Sequence, residues 1–147
     1  MVSSPELRIT TIRQLYPELG AHLLRLMDEG TQWDAEQTQA FITHPDNLLL
    51  VAYWQDQPAG FATVHRLQRL DARKAEVILY EIGVDATFQR RGIATKLIEA
   101  VNAWGKTVGA DSMWVLTEKE NDQGRGLYRA TGGEEFEPCI KMYTYTY

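Results

Sequence analysis

The chain has 147 residues, 44% of them hydrophobic and 24% charged, so it reads as one soluble domain over residues 1–147 with room for a sizeable core. A net charge of −5 argues against nucleic acid as the main partner and mildly favours a cationic one. The single Cys139 excludes an internal disulfide framework, fits a reducing cytoplasm and is expected as a structural thiol, while neither a signal-peptide pattern at Met1–Glu6 nor a membrane-length apolar run occurs.

Leu7 to Arg13 reads as a first strand, and Pro17 to Met27 as a helix with Leu19, Leu23, Leu24 and Met27 at helical spacing. Gly30 stops it. Asp34 is a candidate N-cap for a second helix, with Gln37 at the capping-box position, and His44-Pro45 ends that helix. Strands are predicted over Leu48–Trp54 and Gly60–Leu70, joined by a turn around Gln55-Asp56-Gln57-Pro58, and a central strand over Lys74–Asp85. The segment Ile93–Val108 is a helix with the apolar stripe Ile93, Leu97, Val101, Trp104 and Val108. Ser112–Glu118 reads as another strand. Tyr143, Tyr145 and Tyr147 alternate with threonines, a strand signature at the end of the chain.

The run Gln89-Arg90-Arg91-Gly92-Ile93-Ala94 lies between the central strand and the long helix. A glycine-containing turn there offers unpaired N–H groups at the positive end of a helix dipole, with two arginines beside it, which suits a pyrophosphate. The spacing fits neither G-x-x-x-x-G-K-[ST] nor G-x-G-x-x-G.

This run resembles the pyrophosphate loop of the GNAT superfamily of acetyl-CoA-dependent N-acetyltransferases, [RQ]-x-x-G-x-[GA], with Gln89, Gly92 and Ala94 at the defined positions. A second stretch, Asn121 to Gly133, is similar to the superfamily's N-x-x-A-x-x-[LF]-Y-x-x-x-G-F through Asn121, Leu127, Tyr128 and Gly132. Gly124 departs from the usual alanine and Gly133 from the usual phenylalanine. The resemblance covers the chain from about Leu48 onward. It implies a mixed α/β fold: a mostly antiparallel sheet of 6–7 strands, about four flanking helices, and splayed central strands ending near Val84 and Thr117.

By that resemblance, acetyl-CoA is the cofactor, no metal is needed, and the pantetheine arm lies along the central strand. Ile82, Gly83 and Val84 would contact it, with the Val84 N–H best placed to polarise the thioester carbonyl. Amides and side chains of Gln89, Arg90, Arg91, Gly92, Ile93, Ala94 and Thr95 would hold the pyrophosphate. Asn121 would either bind the cofactor or cap the helix that follows it.

Regular strand periodicity puts residues 77, 79, 81 and 83 on one face, and Val77 and Leu79 make that face apolar. A carboxylate there is expensive unless it has a partner or a purpose, and the resemblance gives Glu81 the purpose of general base for the attacking amine. It makes Tyr128 the acid that protonates the departing thiolate; the alternative is an aromatic packing helix on sheet. Trp33, Asp34 and His65 are weaker substrate candidates, from the helices and strand expected to shape the acceptor pocket. Three dispersed histidines have no metal-ligand spacing.

The chain looks most like the short aminoglycoside 3-N-acetyltransferases, although the shared residues lie mainly in cofactor-binding segments. The expected acceptor is therefore a primary amine of an aminoglycoside- or polyamine-like small molecule. Peptide or lysine amines, and a non-catalytic acyl-CoA sensor, are the alternatives. Dimers are frequent in the superfamily, and an exposed tyrosine-rich edge strand would need the cover a homodimer gives.

Overall fold

The computed structural model describes residues 6–136 and 141–147, so Cys139 and the residues preceding Glu6 lie outside it. The chain divides into two compact units, the first ending at Leu116 and the second running from Thr117.

In the first unit a five-stranded sheet runs in the order β1 (Leu7–Thr11), β2 (Asn47–Trp54), β3 (Gln57–Leu67), β4 (Ala75–Val84), β5 (Ala110–Trp114). The first four are antiparallel neighbours, and β5 joins β4 in parallel after a helical crossover. The sheet has five strands among the described residues, not six or seven. The tyrosine alternation accounts for part of that difference. Residues 143–147 carry no strand assignment, and Tyr143, Tyr145 and Tyr147 are exposed. Alternation supplies β-propensity, but a strand also needs a ladder partner, and these residues have none among the described ones.

Helices cover both faces of this sheet. On one lie α1 (Leu19–Leu26) and α2 (Ala35–Thr43), whose Leu19, Leu23 and Ile42 pack with Leu49, Val51 and Phe61 from the strands. Asp34 caps α2 as predicted, its Oδ1 accepting from the Gln37 N–H at 2.8 Å. On the other face lies α3 (Ile93–Thr107), burying Ile93, Leu97, Ile98 and Val101. The stripe is rotated slightly from the sequence expectation. Ile98 and Gly105 join it, and Trp104 and Val108 are only half-buried.

The β2–β3 hairpin turns on two residues, Gln55 and Asp56, both in the left-handed region (φ 46° and 66°), the backbone twist that fits a two-residue hairpin. β5 begins and ends earlier than the predicted Ser112–Glu118. It starts directly after Gly109 (φ 77°), which reverses the chain at the end of α3.

The second unit holds α4 (Asp122–Ala130). Asn121 caps it, Oδ1 accepting from the Gly124 N–H at 3.0 Å while Nδ2 donates to Thr117 Oγ1 at 2.9 Å. Arg125 and Arg129 both pair with Glu135.

Candidate functional site

The register between β3 and β4 decides where Glu81 points. Val64 pairs with Leu79, but Thr63 pairs with Glu81, so Tyr80 is an extra residue on β4. Such a bulge re-aims the residues beyond it. The sequence expectation that residue 81 shares a face with residues 77 and 79 is thereby corrected. Val77 and Leu79 look toward α3, where Gly105 approaches Val77. Glu81 looks toward α1 and α2 with Thr63, Phe61 and His65.

On that face Glu81 has a specific partner. Thr63 Oγ1 donates to Glu81 Oε2 at 2.9 Å. Next to this pair stands an edge-to-face aromatic series: Phe41 against His65 at 5.3 Å between centroids, and His65 against Tyr80 at 5.7 Å. His65 Nδ1 is 2.9 Å from Asn47 Oδ1. Tyr80 is 66% exposed, so this corner opens to solvent.

The opposite edge of β4 is open. Its parallel pairing with β5 ends at Ile78 with Trp114, and from Leu79 to Val84 β5 gives it no partner among the described residues. The Asp85 N–H donates to Ala59 O at 2.8 Å, which makes residues 59 and 85 a hydrogen-bonded pair. Alternation then makes 60/84 and 62/82 the non-bonded pairs, so the N–H groups of Ile82 and Val84 point away from β3, into the gap. Gly83 has a packing reason for its identity. A Cβ there would lie 2.8 Å from Phe61 Cε1 and 2.9 Å from Leu26 O, at the end of α1.

β4 leads through a short 3-10 turn, Ala86–Phe88, into the basic loop. Asp85 caps that turn and its carboxyl is held below the usual range, chiefly by the Thr87 N–H, with Arg25 adding to it. Arg90 and Gly92 are both left-handed (φ 63° and 75°), and Gly92 is the N-cap of α3 without a capping side chain. The first-turn N–H groups of Ile93, Ala94 and Thr95 are therefore unpaired by the helix, and no acidic residue stands in that turn. Arg91 stacks its guanidinium 4.8 Å over the Trp54 ring and 5.8 Å from Phe88, and no ion pair of Arg91 occurs among the described residues. The loop thus presents three backbone N–H groups that the helix leaves unpaired, on a segment that carries Arg90 and Arg91, an arrangement chemically suited to an anion.

Within this unit Trp33 packs against Gly20 and Asp34 caps α2. The Trp33 ring lies where a Cβ on Gly20 would stand, and its indole Nε1 is buried without a partner among the described residues. Asp34 uses Oδ1 for the cap and is otherwise exposed. The residue that the sequence reading missed is Thr63. A threonine within a strand carries no signal of its own, and only the bulge brings it to Glu81. A separate cleft beside Val77, Gly105 and Met113 lies on the α3 face, away from Glu81.

In the second unit Tyr128 is half-buried on α4, and burial pushes its phenol above its ordinary value, so it is neutral and able to donate at physiological pH. Gly132 (φ 96°) turns the chain at the end of α4. Gly133 stands where a side chain has no room: its N–H donates to Tyr128 O at 2.8 Å, and a Cβ would lie 2.8 Å from the same oxygen.

The sequence profile of the acetyltransferase (GNAT) family matches residues 12–132. The chain belongs to this family. Aminoglycoside N(6′)-acetyltransferase type 1 of Salmonella typhimurium (strain LT2) is 39% identical over 64 residues, and the Salmonella enteritidis protein of the same name matches equally. That alignment spans 44% of this chain and 44% of each relative. Among solved structures, an aminoglycoside acetyltransferase from an uncultured soil metagenomic sample, in complex with sisomicin, superposes with a TM-score of 0.80 at 23% identity, over 96% of this chain and 97% of that one. AAC(6′)-Iy in complex with the bisubstrate analogue CoA-S-monomethyl-acetylneamine also gives 0.80 at 23% identity, over 97% and 100%. A transcriptional regulator from Bacillus halodurans C-125 shares the fold as well, at 0.77 and 15% identity over 93% and 100%. The fold is common to all of them, so the chemistry rests on the site. The two named relatives are 6′-N enzymes, whereas the sequence resemblance ran to the 3-N type.

Proposed function

We propose that this protein transfers the acetyl group of acetyl-CoA to a primary amine of a small polycationic molecule, with an aminoglycoside as the leading class. The observation that carries the reading is the β4 strand. It offers free backbone donors on its open edge, and its bulge turns a carboxylate toward the helix face at the same point.

The cofactor's pyrophosphate sits against the amides from Gln89 to Thr95, with Arg90 and Arg91 supplying charge. Its pantetheine arm extends along β4 as an added strand, filling the gap that β5 leaves. The Val84 N–H, with Ile82 beside it, faces the thioester carbonyl and stabilises the negative charge that forms on its oxygen. An acceptor ammonium enters from the α1/α2 side, attracted by the Glu81 carboxylate. Glu81 takes one proton from it, directly or through water, and the free amine attacks the acetyl carbon. The C–S bond then breaks and the coenzyme leaves as a thiolate that takes up a proton, for which the family resemblance makes the Tyr128 phenol the candidate donor; the second proton of the attacking nitrogen is released through solvent and restores the phenol, leaving a neutral amide.

The 6′-N relatives favour an exposed primary amine such as a 6′-aminomethyl group over a ring amine such as that at position 3. Thiol release from acetyl-CoA, measured across aminoglycosides, linear polyamines and short peptides, tests the reading. Turnover on an aminoglycoside that falls by about 10²-fold or more in Glu81→Gln is the expected result. Failure to bind acetyl-CoA, or full turnover in Glu81→Gln, would overturn the reading.

A further inference from the structure

We infer that Thr63 is a positioning residue for the Glu81 carboxylate, and that it selects which of the two carboxylate oxygens works as the base. The inference rests on the catalytic role proposed for Glu81.

Thr63 is the one buried polar residue recorded among the described residues, at 8% exposure. It sits between Ala62 and Val64, both fully buried, in the middle of β3. A hydroxyl at such a position costs free energy unless it is hydrogen-bonded, and valine would fill the same volume in a strand at no polar cost. The hydroxyl finds its bond in one place. Its Oγ1 donates to Glu81 Oε2 at 2.9 Å.

Two constraints then act on Glu81 together. The bulge at Tyr80 brings Glu81 opposite Thr63 rather than Ala62, which sets the face. The Thr63 hydroxyl holds Oε2, which sets the orientation of the carboxylate about its last bond. Oε1 takes no hydrogen bond among the described residues, so it is the oxygen left to receive a proton. Threonine suits the task better than serine would. Its β-branch restricts χ1 on a strand, so the hydroxyl is aimed without further ordering. The proton donated by Thr63 stays on Oγ1 throughout; it orients the base and is not transferred.

The test uses the whole protein. Thr63→Val keeps shape and burial and removes only the donor. It is expected to lower kcat about tenfold, the scale of one hydrogen bond to a charged group, with KM for acetyl-CoA and the unfolding midpoint unchanged. Thr63→Ser should restore most of kcat. In a Glu81→Ala background, adding Thr63→Val should change kcat by less than about twofold, because the group it orients is gone. Wild-type kcat in Thr63→Val, or a full tenfold loss persisting in the Glu81→Ala background, would overturn the inference. If Glu81→Gln itself retained full turnover, the catalytic reading of Glu81 would fall instead, which separates the two failures.

Discussion

Leu79 and Glu81 stand two residues apart on β4, yet they face opposite sides of the sheet, because Leu79 aligns with Val64 and Glu81 with Thr63. Their substitutions should therefore separate cleanly. Leu79 is 1% exposed, and Leu79→Ala should cost about 2–5 kcal/mol in urea unfolding. Glu81→Gln should shift stability by no more than about 0.5 kcal/mol while abolishing most turnover in the thiol-release assay.

Gly83 is held by close approach rather than by its dihedrals. A methyl group there meets both Phe61 and the backbone oxygen of Leu26. Gly83→Ala should destabilise the fold by about 1–3 kcal/mol, seen as a lower urea midpoint with an unchanged slope.

Trp54 lies at the far end of β2, but its ring carries the Arg91 guanidinium. Trp54→Leu should weaken coenzyme A binding about two- to fivefold by releasing Arg91 from that position, with kcat at saturating cofactor unchanged. Isothermal titration with coenzyme A reads the effect. Arg91→Ala should give at least as large a loss, and Trp54→Leu should add little to it.

Tyr128 supplies a pH prediction. Its phenol is raised by burial, so the neutral donor persists as pH climbs past the ordinary phenol value of about 10. Turnover that needs this proton should decline only above that value. The folded state prefers the neutral phenol, so the stability it contributes is complete below the ordinary value and is lost as pH rises through the raised one. Tyr128→Phe should lower kcat roughly 10- to 100-fold and remove that alkaline decline from the rate profile.

Much of this was legible in the residues. The cap at Asp34, the helical stripe from Ile93 and the loop around Gly92 are local signals, written within one turn of chain, and the structure carries each of them. The bulge was not. From Ile78 to Val84 the sequence is one nearly continuous apolar run, and nothing in it says that Tyr80 lacks a partner. Only the neighbouring β3 strand supplies that information. Thr63 stayed hidden for the same reason. The tyrosine-rich end erred in the other direction, since its alternation is as regular as any in the chain and residues 143–147 still form no ladder.

The open side of β4 has a consequence that time would reveal. The N–H groups of Glu81 and Gly83 face β3 within hydrogen-bonded pairs, while those of Ile82 and Val84 face the gap. In deuterated water, with the cofactor absent, the strand should label in a comb, with Ile82 and Val84 exchanging early and Glu81 and Gly83 late. A molecule lying along that edge would slow every second amide and leave the others as they were. The exchange record of four consecutive residues would then mark where the ligand lies.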